Sequence, residues 1–156
     1  MTGLCVVVSI MLTGCRAQMI GAYDPRVDNS VSAFHSACER YFDDVSRELA
    51  ADARGAGFEL HEPFFREQRL SLRVLSTRVQ ALPGNSITAK QLENLAGQLD
   101  TLEAMHLAHE RARTGAVAVP GVPAQLLSIP TLELARDSIR TSVRAIWTFE
   151  LAKLER

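Results

Sequence analysis

Apolar residues recur at intervals of three and four along four stretches of this chain, the spacing that places side chains on one face of an α-helix. The first stretch follows Asp24-Pro25, a favourable N-cap and first helical residue, and it stops before Gly55 and Gly57. We therefore predict a first helix between these signals. Its apolar stripe consists of Val27, Val31, Phe34, Cys38, Tyr41, Phe42, Val45 and Leu49.

The second and fourth stretches also begin near a proline, which favours the first turn of a helix. The second helix is predicted to run from near Pro63 to Pro83-Gly84, and the fourth from about Pro130 to the C-terminus. Their inward-facing residues are Phe65, Leu72, Leu75, Val79 and Leu82 in the second helix, and Leu132, Ile139, Val143, Ile146 and Leu151, flanked by Trp147 and Phe149, in the fourth.

The third stretch carries the clearest sign of a helix start. Thr88 and Gln91 have the spacing of a capping box, and Ile87 and Leu92 are placed as a hydrophobic staple around it. The stripe of this helix continues through Leu95, Leu99 and Leu102.

The four helices predict an all-α fold. Each helix is apolar on one side, so none is stable alone in water, and packing the four stripes together buries them all. The spacing of three and four favours crossing angles of about 20°, the geometry of a four-helix bundle. We expect one up-down-up-down bundle over residues 23–156, since 156 residues suffice for one domain with a substantial core.

A short apolar run precedes the bundle. Residues 4–14 are uncharged and reach about 16 Å as a helix, roughly half of the 30 Å needed to cross a bilayer, so they fit the core of a cleavable signal. The run ends in Leu12-Thr13-Gly14-Cys15, which has the order of a bacterial lipobox. We predict a signal at 1–14 and a lipidated Cys15 with a tether at 15–22.

One feature departs from the pattern of a signal peptide. No Lys or Arg stands before Cys15, whereas a signal peptide ordinarily begins with a basic residue. The alternative is that residues 1–20 form an apolar tail or the buried first turn of a core helix.

If the chain is processed, two or three acyl chains on Cys15 attach it stably to a membrane. Arg16, where an Asp would favour the inner membrane, points to the periplasmic face of the outer membrane, with the inner membrane possible.

Composition and motifs limit the possible functions. The chain has 17 Lys and Arg against 18 Asp and Glu, so its net charge of −1 gives no basic character to suggest nucleic acid. No serine-hydrolase motif, phosphate-binding glycine loop or zinc-ligand spacing occurs in the sequence. We expect a structural or protein-binding role in the cell envelope, without catalysis or a cofactor. The sequence leaves the oligomeric state open.

A metal-binding bundle is the alternative function. Glu103, His106 and His109 share one face of the third helix, and Glu-x-x-His is part of the carboxylate-bridged di-metal arrangement of helical bundles. A second Glu-x-x-His is absent from the sequence. If no metal is bound, we expect both histidines to lie half-exposed at the rim of the bundle and to form hydrogen bonds there.

Two rows of arginines follow single helical faces, one in the second helix and one in the fourth. Such a row can bind an anion, but the acidic residues interleaved with it favour a solvated, salt-bridged surface. The rows are Arg66, Arg69 and Arg73, and Arg136, Arg140 and Arg144, interleaved with Glu62, Glu67, Glu133 and Asp137.

The uncharged segment at 114–132 is long for a connection within a bundle. Its prolines and glycines argue against a membrane helix. It either folds across an open end of the bundle or contacts a membrane or an envelope protein, in which case Leu126 and Leu127 are the candidate contact residues.

The lipobox and four further segments resemble a family of small Gram-negative lipoproteins whose members have a predicted helical domain and no assigned activity. The segments are Tyr23-Asp24-Pro25, Leu72-Arg73-Val74-Leu75-Ser76-Thr77-Arg78, Asn85-Ser86-Ile87-Thr88-Ala89-Lys90-Gln91-Leu92 and Leu151-Ala152-Lys153. The resemblance implies an envelope location and a helical fold. The functional position that it carries over is the lipid-bearing Cys15.

Overall fold

The computed structural model describes residues 20–52, 54–115 and 127–155. These ranges contain four α-helices and no strand: α1 (Pro25–Ala51), α2 (Phe58–Ala81), α3 (Ser86–Thr114) and α4 (Ile129–Leu154). The predicted all-α four-helix bundle is therefore confirmed. Within the same ranges, no helix is both long and apolar enough to cross a membrane.

The helices form a closed ring of antiparallel neighbours. Helix α1 packs against α2 and α4, and α3 packs against the same two helices. Asp24 before α1 bonds Arg78 near the end of α2, and Thr88 near the start of α3 bonds Glu150 near the end of α4. The topology is thus up-down-up-down. We call the end that holds residues 20–24, the α2–α3 turn and the last turn of α4 the entry end, and the other the far end.

The core consists of the predicted stripes. All eight stripe residues of α1 are buried, as are the predicted inward-facing residues of α3 and most of those of α2 and α4. Fully burying one such side chain contributes about 1.5–3 kcal/mol, so this shared core is the main source of stability. Two residues depart from the prediction. Leu82 is the C-cap of α2 and is half-buried, and Leu151 is 53% exposed, because it lies on the outer side of the last turn of α4.

Helix α1 begins as predicted. Asp24 is its N-cap, and its carboxylate accepts a hydrogen bond from the Arg26 backbone N–H at 3.0 Å. Pro25 occupies the first helical position, where the missing N–H has no partner to lose.

Helix α2 begins five residues earlier than predicted, at Phe58 instead of Pro63. The Phe58 backbone N–H donates to Glu110 Oε2 of α3 at 3.1 Å. The first N–H groups of a helix have no acceptor within the helix, and here a side chain of α3 provides one. Pro63 lies inside α2 and is exposed. The prediction was wrong because it relied on the local preference of proline.

The predicted capping box and staple of α3 are also wrong. Asn85 is the N-cap and makes no side-chain capping bond, while Thr88 donates to Glu150 and Gln91 to the Ala145 carbonyl, both on α4. Ile87 is 47% exposed and staples nothing. A capping box does occur at α4, between Ser128 and Thr131.

Replacing Gly97 with alanine is expected to raise the free energy of unfolding by about 0.5–1 kcal/mol, since glycine inside a helix is costly relative to alanine. Gly97 is exposed within α3, and an added Cβ meets nothing within 4 Å. Urea unfolding measures the change.

Gly84→Ala is the matched control and is expected to destabilise the fold. Gly84 has φ +76°, and an added Cβ would lie 2.5 Å from the Gly21 nitrogen. A Gly97→Ala protein less stable than the unsubstituted chain would contradict the placement of Gly97 at an exposed position inside α3.

Candidate functional site

The histidines of the metal hypothesis lie in the interior of the far end. His106 and His109 are both fully buried, so the predicted half-exposed position at the rim is wrong. Each ring reaches the α1–α2 connection: His106 Nε2 is 2.7 Å from the Ala56 carbonyl oxygen, and His109 Nε2 is 2.8 Å from that of Gly55. These bonds hold the connection against α3.

The hydrogen bonds of His106 fix its tautomer. A carbonyl only accepts, so Nε2–H donates to Ala56, and Nδ1 accepts from the Tyr41 hydroxyl at 2.9 Å. Burial raises the pKa of Tyr41, which keeps its hydroxyl proton available for this bond. Burial also lowers the pKa of His106 to about 4, so the ring is neutral at pH 7.

The structure does not bring Glu103, His106 and His109 together as ligands. Glu103 pairs with Arg69 of α2, away from the Gly55 and Ala56 carbonyls that the histidines bond. Across residues 20–52, 54–115 and 127–155, no three His, Cys, Asp or Glu side chains are placed to hold a metal ion. The Glu-x-x-His spacing therefore serves two different structural contacts.

Aromatic rings surround His106. Tyr41 stacks on Phe64 with ring centroids 4.5 Å apart, and the His61 ring lies 5.2 Å from that of His106. His61 Nε2 is 3.2 Å from Glu48 Oε2. An aromatic cluster around His106 thus closes the far end.

Members of both arginine rows connect helices. Arg136 and Arg140 of α4 both bond Glu39 of α1, with Arg140 Nε 2.7 Å from Glu39 Oε1. The predicted pairs with Glu133 and Asp137 are present but longer, at 3.4 and 3.6 Å. The bond from Arg140, and then that from Arg136, lowers the pKa of Glu39 to about 2.

Of the two proposed partner-contact residues, Leu126 lies outside the described residues and Leu127 is 3% exposed. Leu127 belongs to the core cluster, so its side chain is not presented to a partner in this structure. Cys15 also lies outside the described residues. Cys38 is a buried free thiol, and burial raises its pKa to about 12.

Residues 20–24 are fixed at the entry end. The Gly21 N–H donates to the Gly84 carbonyl oxygen at 2.8 Å. A Cβ on Gly21 would lie 2.7 Å from both Asn85 Oδ1 and the Pro83 carbonyl oxygen, so the segment fits closely against the α2–α3 turn. Asp24 adds an ion pair to Arg78 at 2.7 Å, which lowers the pKa of Asp24.

A buried polar network lies beside this segment. Lys153 Nζ donates to Asn85 Oδ1 at 2.7 Å, to Thr88 Oγ1 at 3.2 Å and to Glu150 Oε1 at 2.6 Å. The Thr88 hydroxyl donates to the same Glu150 oxygen at 2.6 Å. The sequence analysis does not predict this network, because it assigns Thr88 to a capping box and gives Glu150 and Lys153 no role in the core.

The network joins the start of α3 to the end of α4. The Lys153 and Glu150 side chains are each 1% exposed, so both charges are removed from water. The ammonium group uses its three donors, whereas Glu150 Oε2 has no hydrogen-bond partner among the described residues. Loss of either member of such a buried pair leaves an uncompensated charge away from water.

An open groove of about 1020 Å³ runs between α2 and α3. It begins at the α2–α3 turn, where Pro83 and Asn85 line it, and continues as far as Arg69 and Asp100. Its lining combines apolar and charged side chains.

Comparison of the chain with models of protein families, with curated proteins and with solved structures finds no match. The resemblance to small lipoproteins therefore remains a prediction.

Acidification from pH 6.5 to pH 4 is expected to remove about 3 kcal/mol of stability through His106. Its pKa in the fold, about 4, lies below its ordinary 6.5, so the unfolded chain takes up the proton first as the pH falls. The contribution is complete above pH 6.5 and is lost as the pH approaches 4. Urea unfolding at a series of pH values measures it.

His106→Gln is the control for this dependence, because glutamine can donate to Ala56 but does not titrate. The stability of the variant should change less between pH 6.5 and 4 than that of the unsubstituted chain. Parallel curves would show that His106 does not contribute.

Lys153→Met is expected to lower the free energy of unfolding by about 3–5 kcal/mol, because it leaves the Glu150 carboxylate buried without its cation. Adding Glu150→Gln should recover part of this loss, although Glu150→Gln alone should destabilise the protein. Glu150→Gln should therefore lower the free energy of unfolding when Lys153 is present and raise it when Lys153 is replaced by methionine. A double-mutant cycle measured by urea unfolding tests this.

Lys90→Met is the matched control, since Lys90 and Glu93 form an exposed ion pair. It should leave stability nearly unchanged. Additive effects of the Lys153 and Glu150 substitutions would refute the coupling.

Proposed function

We propose that this chain is a lipid-anchored protein of the bacterial envelope whose helical bundle has a structural or protein-binding role and no catalytic activity. The observation that carries the proposal is Leu12-Thr13-Gly14-Cys15 at the end of a short apolar run. In this order the small residues admit the signal peptidase, and the cysteine thiol takes the lipid.

The packing of residues 20–24 supports an anchor at this position. Ile20 follows Cys15 by five positions, and a chain of five residues reaches about 17 Å at most. Because residues 20–24 are bonded to the α2–α3 turn, lipid on Cys15 would hold the entry end of the bundle close to the bilayer surface.

The contacts of the buried polar groups and the groove between α2 and α3 support a structural or binding role. Its buried histidines bond backbone carbonyls, and its buried lysine bonds residues of a neighbouring helix. These groups stabilise the fold. The groove between α2 and α3 gives the domain a concave surface beside the proposed anchor. Arg16 in place of Asp favours the outer membrane.

The intact mass of the membrane-extracted protein is expected to show cleavage before Cys15 and two or three added acyl chains. Cys15→Ser should abolish both changes, because serine provides no thiol for the lipid. Cys5→Ser is the matched control and should give an unchanged mature mass, since Cys5 leaves with the signal.

A full-length, unacylated mass would overturn the proposal. The same measurement on separated inner and outer membranes tests the location, and recovery of the acylated form mainly from inner membranes would argue against the role assigned to Arg16.

A further inference from the structure

A lysine, an asparagine and a glutamate meet in the interior of the entry end. Lys153 Nζ lies 2.7 Å from Asn85 Oδ1 and 2.6 Å from Glu150 Oε1. The side chains of Lys153 and Glu150 are each 1% exposed, and Asn85 is 5% exposed. An amine, a carboxamide and a carboxylate are therefore held in contact where water has little access. These are the groups that the formation of an amide bond between two side chains requires.

Asn85 does not use its side chain in the way that its position favours. It is the N-cap of α3, where an asparagine side chain ordinarily accepts a hydrogen bond from a backbone N–H of the first turn. Here it makes no such bond, and its Oδ1 accepts from Lys153 instead. A hydrogen bond of this length places the Asn85 Cγ about 3–4 Å from the lysine nitrogen, close to the separation of two reacting atoms before attack.

Glu150 is placed to take a proton from the lysine. Its Oε1 accepts from Lys153 and from the Thr88 hydroxyl, both at 2.6 Å, whereas its Oε2 has no hydrogen-bond partner among the described residues. Because charges are costly away from water, transfer of a proton from Nζ to the carboxylate removes two buried charges at once. The neutral amine that results is a nucleophile.

We propose that Lys153 and Asn85 form an isopeptide bond inside the folded chain. The lysine Nζ forms a bond to the Asn85 Cγ, and the bond between that Cγ and Nδ2 breaks. Of the two protons that Nζ gives up, one goes to the leaving nitrogen, which departs as ammonia, and Glu150 keeps the other. The reaction needs no oxidant and no further reactant. It converts a buried ion pair, the state that precedes the bond, into neutral groups.

The bond ties the start of α3 to the end of α4. Almost the whole of both helices lies between Asn85 and Lys153. A covalent link between two residues so far apart in the sequence restricts the unfolded chain more than the folded one, as a disulfide does. The linked bundle is therefore expected to unfold at a higher urea concentration than the unlinked one.

Tryptic digestion of the purified full-length protein tests the proposal. Trypsin releases residues 79–90, which contain Asn85, and residues 145–153, which end at Lys153. An amide on Nζ removes the cleavage site at Lys153, so the linked product is 79–90 joined to 145–156. Its mass is lower than the sum of these two peptides by one ammonia molecule. Fragmentation in the mass spectrometer should place the bond between Asn85 and Lys153. Both peptides lie far from Cys15, so the result does not depend on acylation.

Three variants identify the groups that react. Lys153→Arg keeps the positive charge but provides no amine, so the linked pair should disappear. Glu150→Gln should lower the linked fraction by about tenfold or more, since proton transfer by a positioned side chain typically contributes about 10²–10⁴-fold. Lys90→Arg is the matched control, because Lys90 is exposed and paired with Glu93 and the substitution keeps the tryptic site. It should leave the linked fraction unchanged.

Two results on the folded, unsubstituted protein would overturn the proposal. Recovery of residues 79–90 and 145–153 only as separate peptides of unchanged mass would leave the network as a structural contact. Loss of ammonia from 79–90 alone, with trypsin still cutting after Lys153, would assign a succinimide to Asn85. An undiminished linked fraction in Glu150→Gln would overturn the part assigned to Glu150.

Discussion

The buried contact between Lys153 and the start of α3 positions the entry end of this bundle. A charge removed from water must be matched by donors and acceptors at fixed places, so Lys153 holds Asn85, Thr88 and Glu150 in one arrangement. Asn85 in turn forms part of the surface against which Gly21 fits. The path of the chain into α1 thus depends on a lysine in the last turn of α4. Apolar packing alone would bring α3 and α4 together, but it would not fix this register so closely.

At the far end, buried neutral polar groups likewise need hydrogen-bond partners at fixed places. His106 satisfies the carbonyl group of the buried Ala56, and His109 bonds that of the half-buried Gly55 beside it. Ala56 has φ 60°, a conformation that costs energy for a residue with a Cβ, and the bond from His106 helps to offset it. Histidine suits this place because it is large enough to fill the core and still carries a donor. The two ends are therefore closed by different chemistry, one ionic and one aromatic.

Local patterns in the sequence predicted the helices and most of the core, because the spacing of apolar residues directly reports which side of a helix is buried. They did not predict where α2 begins or what Thr88 does. The first N–H of α2 is satisfied by Glu110, 52 residues away, and Thr88 bonds Glu150, 62 residues away. Such partners depend on the packed arrangement. For the candidate site, the face shared by Glu103 and His106 was visible in the sequence, but their separate partners on other elements were not.

The asymmetry between the ends bears on how an anchored bundle would meet other proteins. The groove between α2 and α3 begins at the α2–α3 turn and extends to Asp100, about 22 Å along α3. With the entry end on the lipid surface, this groove would start at the membrane and rise beside it, so a partner bound there would itself lie close to the bilayer. The far end, whose polar groups are largely occupied by the α1–α2 connection, would project into the aqueous compartment. Under the proposed anchoring, the sides of the bundle near the entry end would be favoured over the far end as the place of contact.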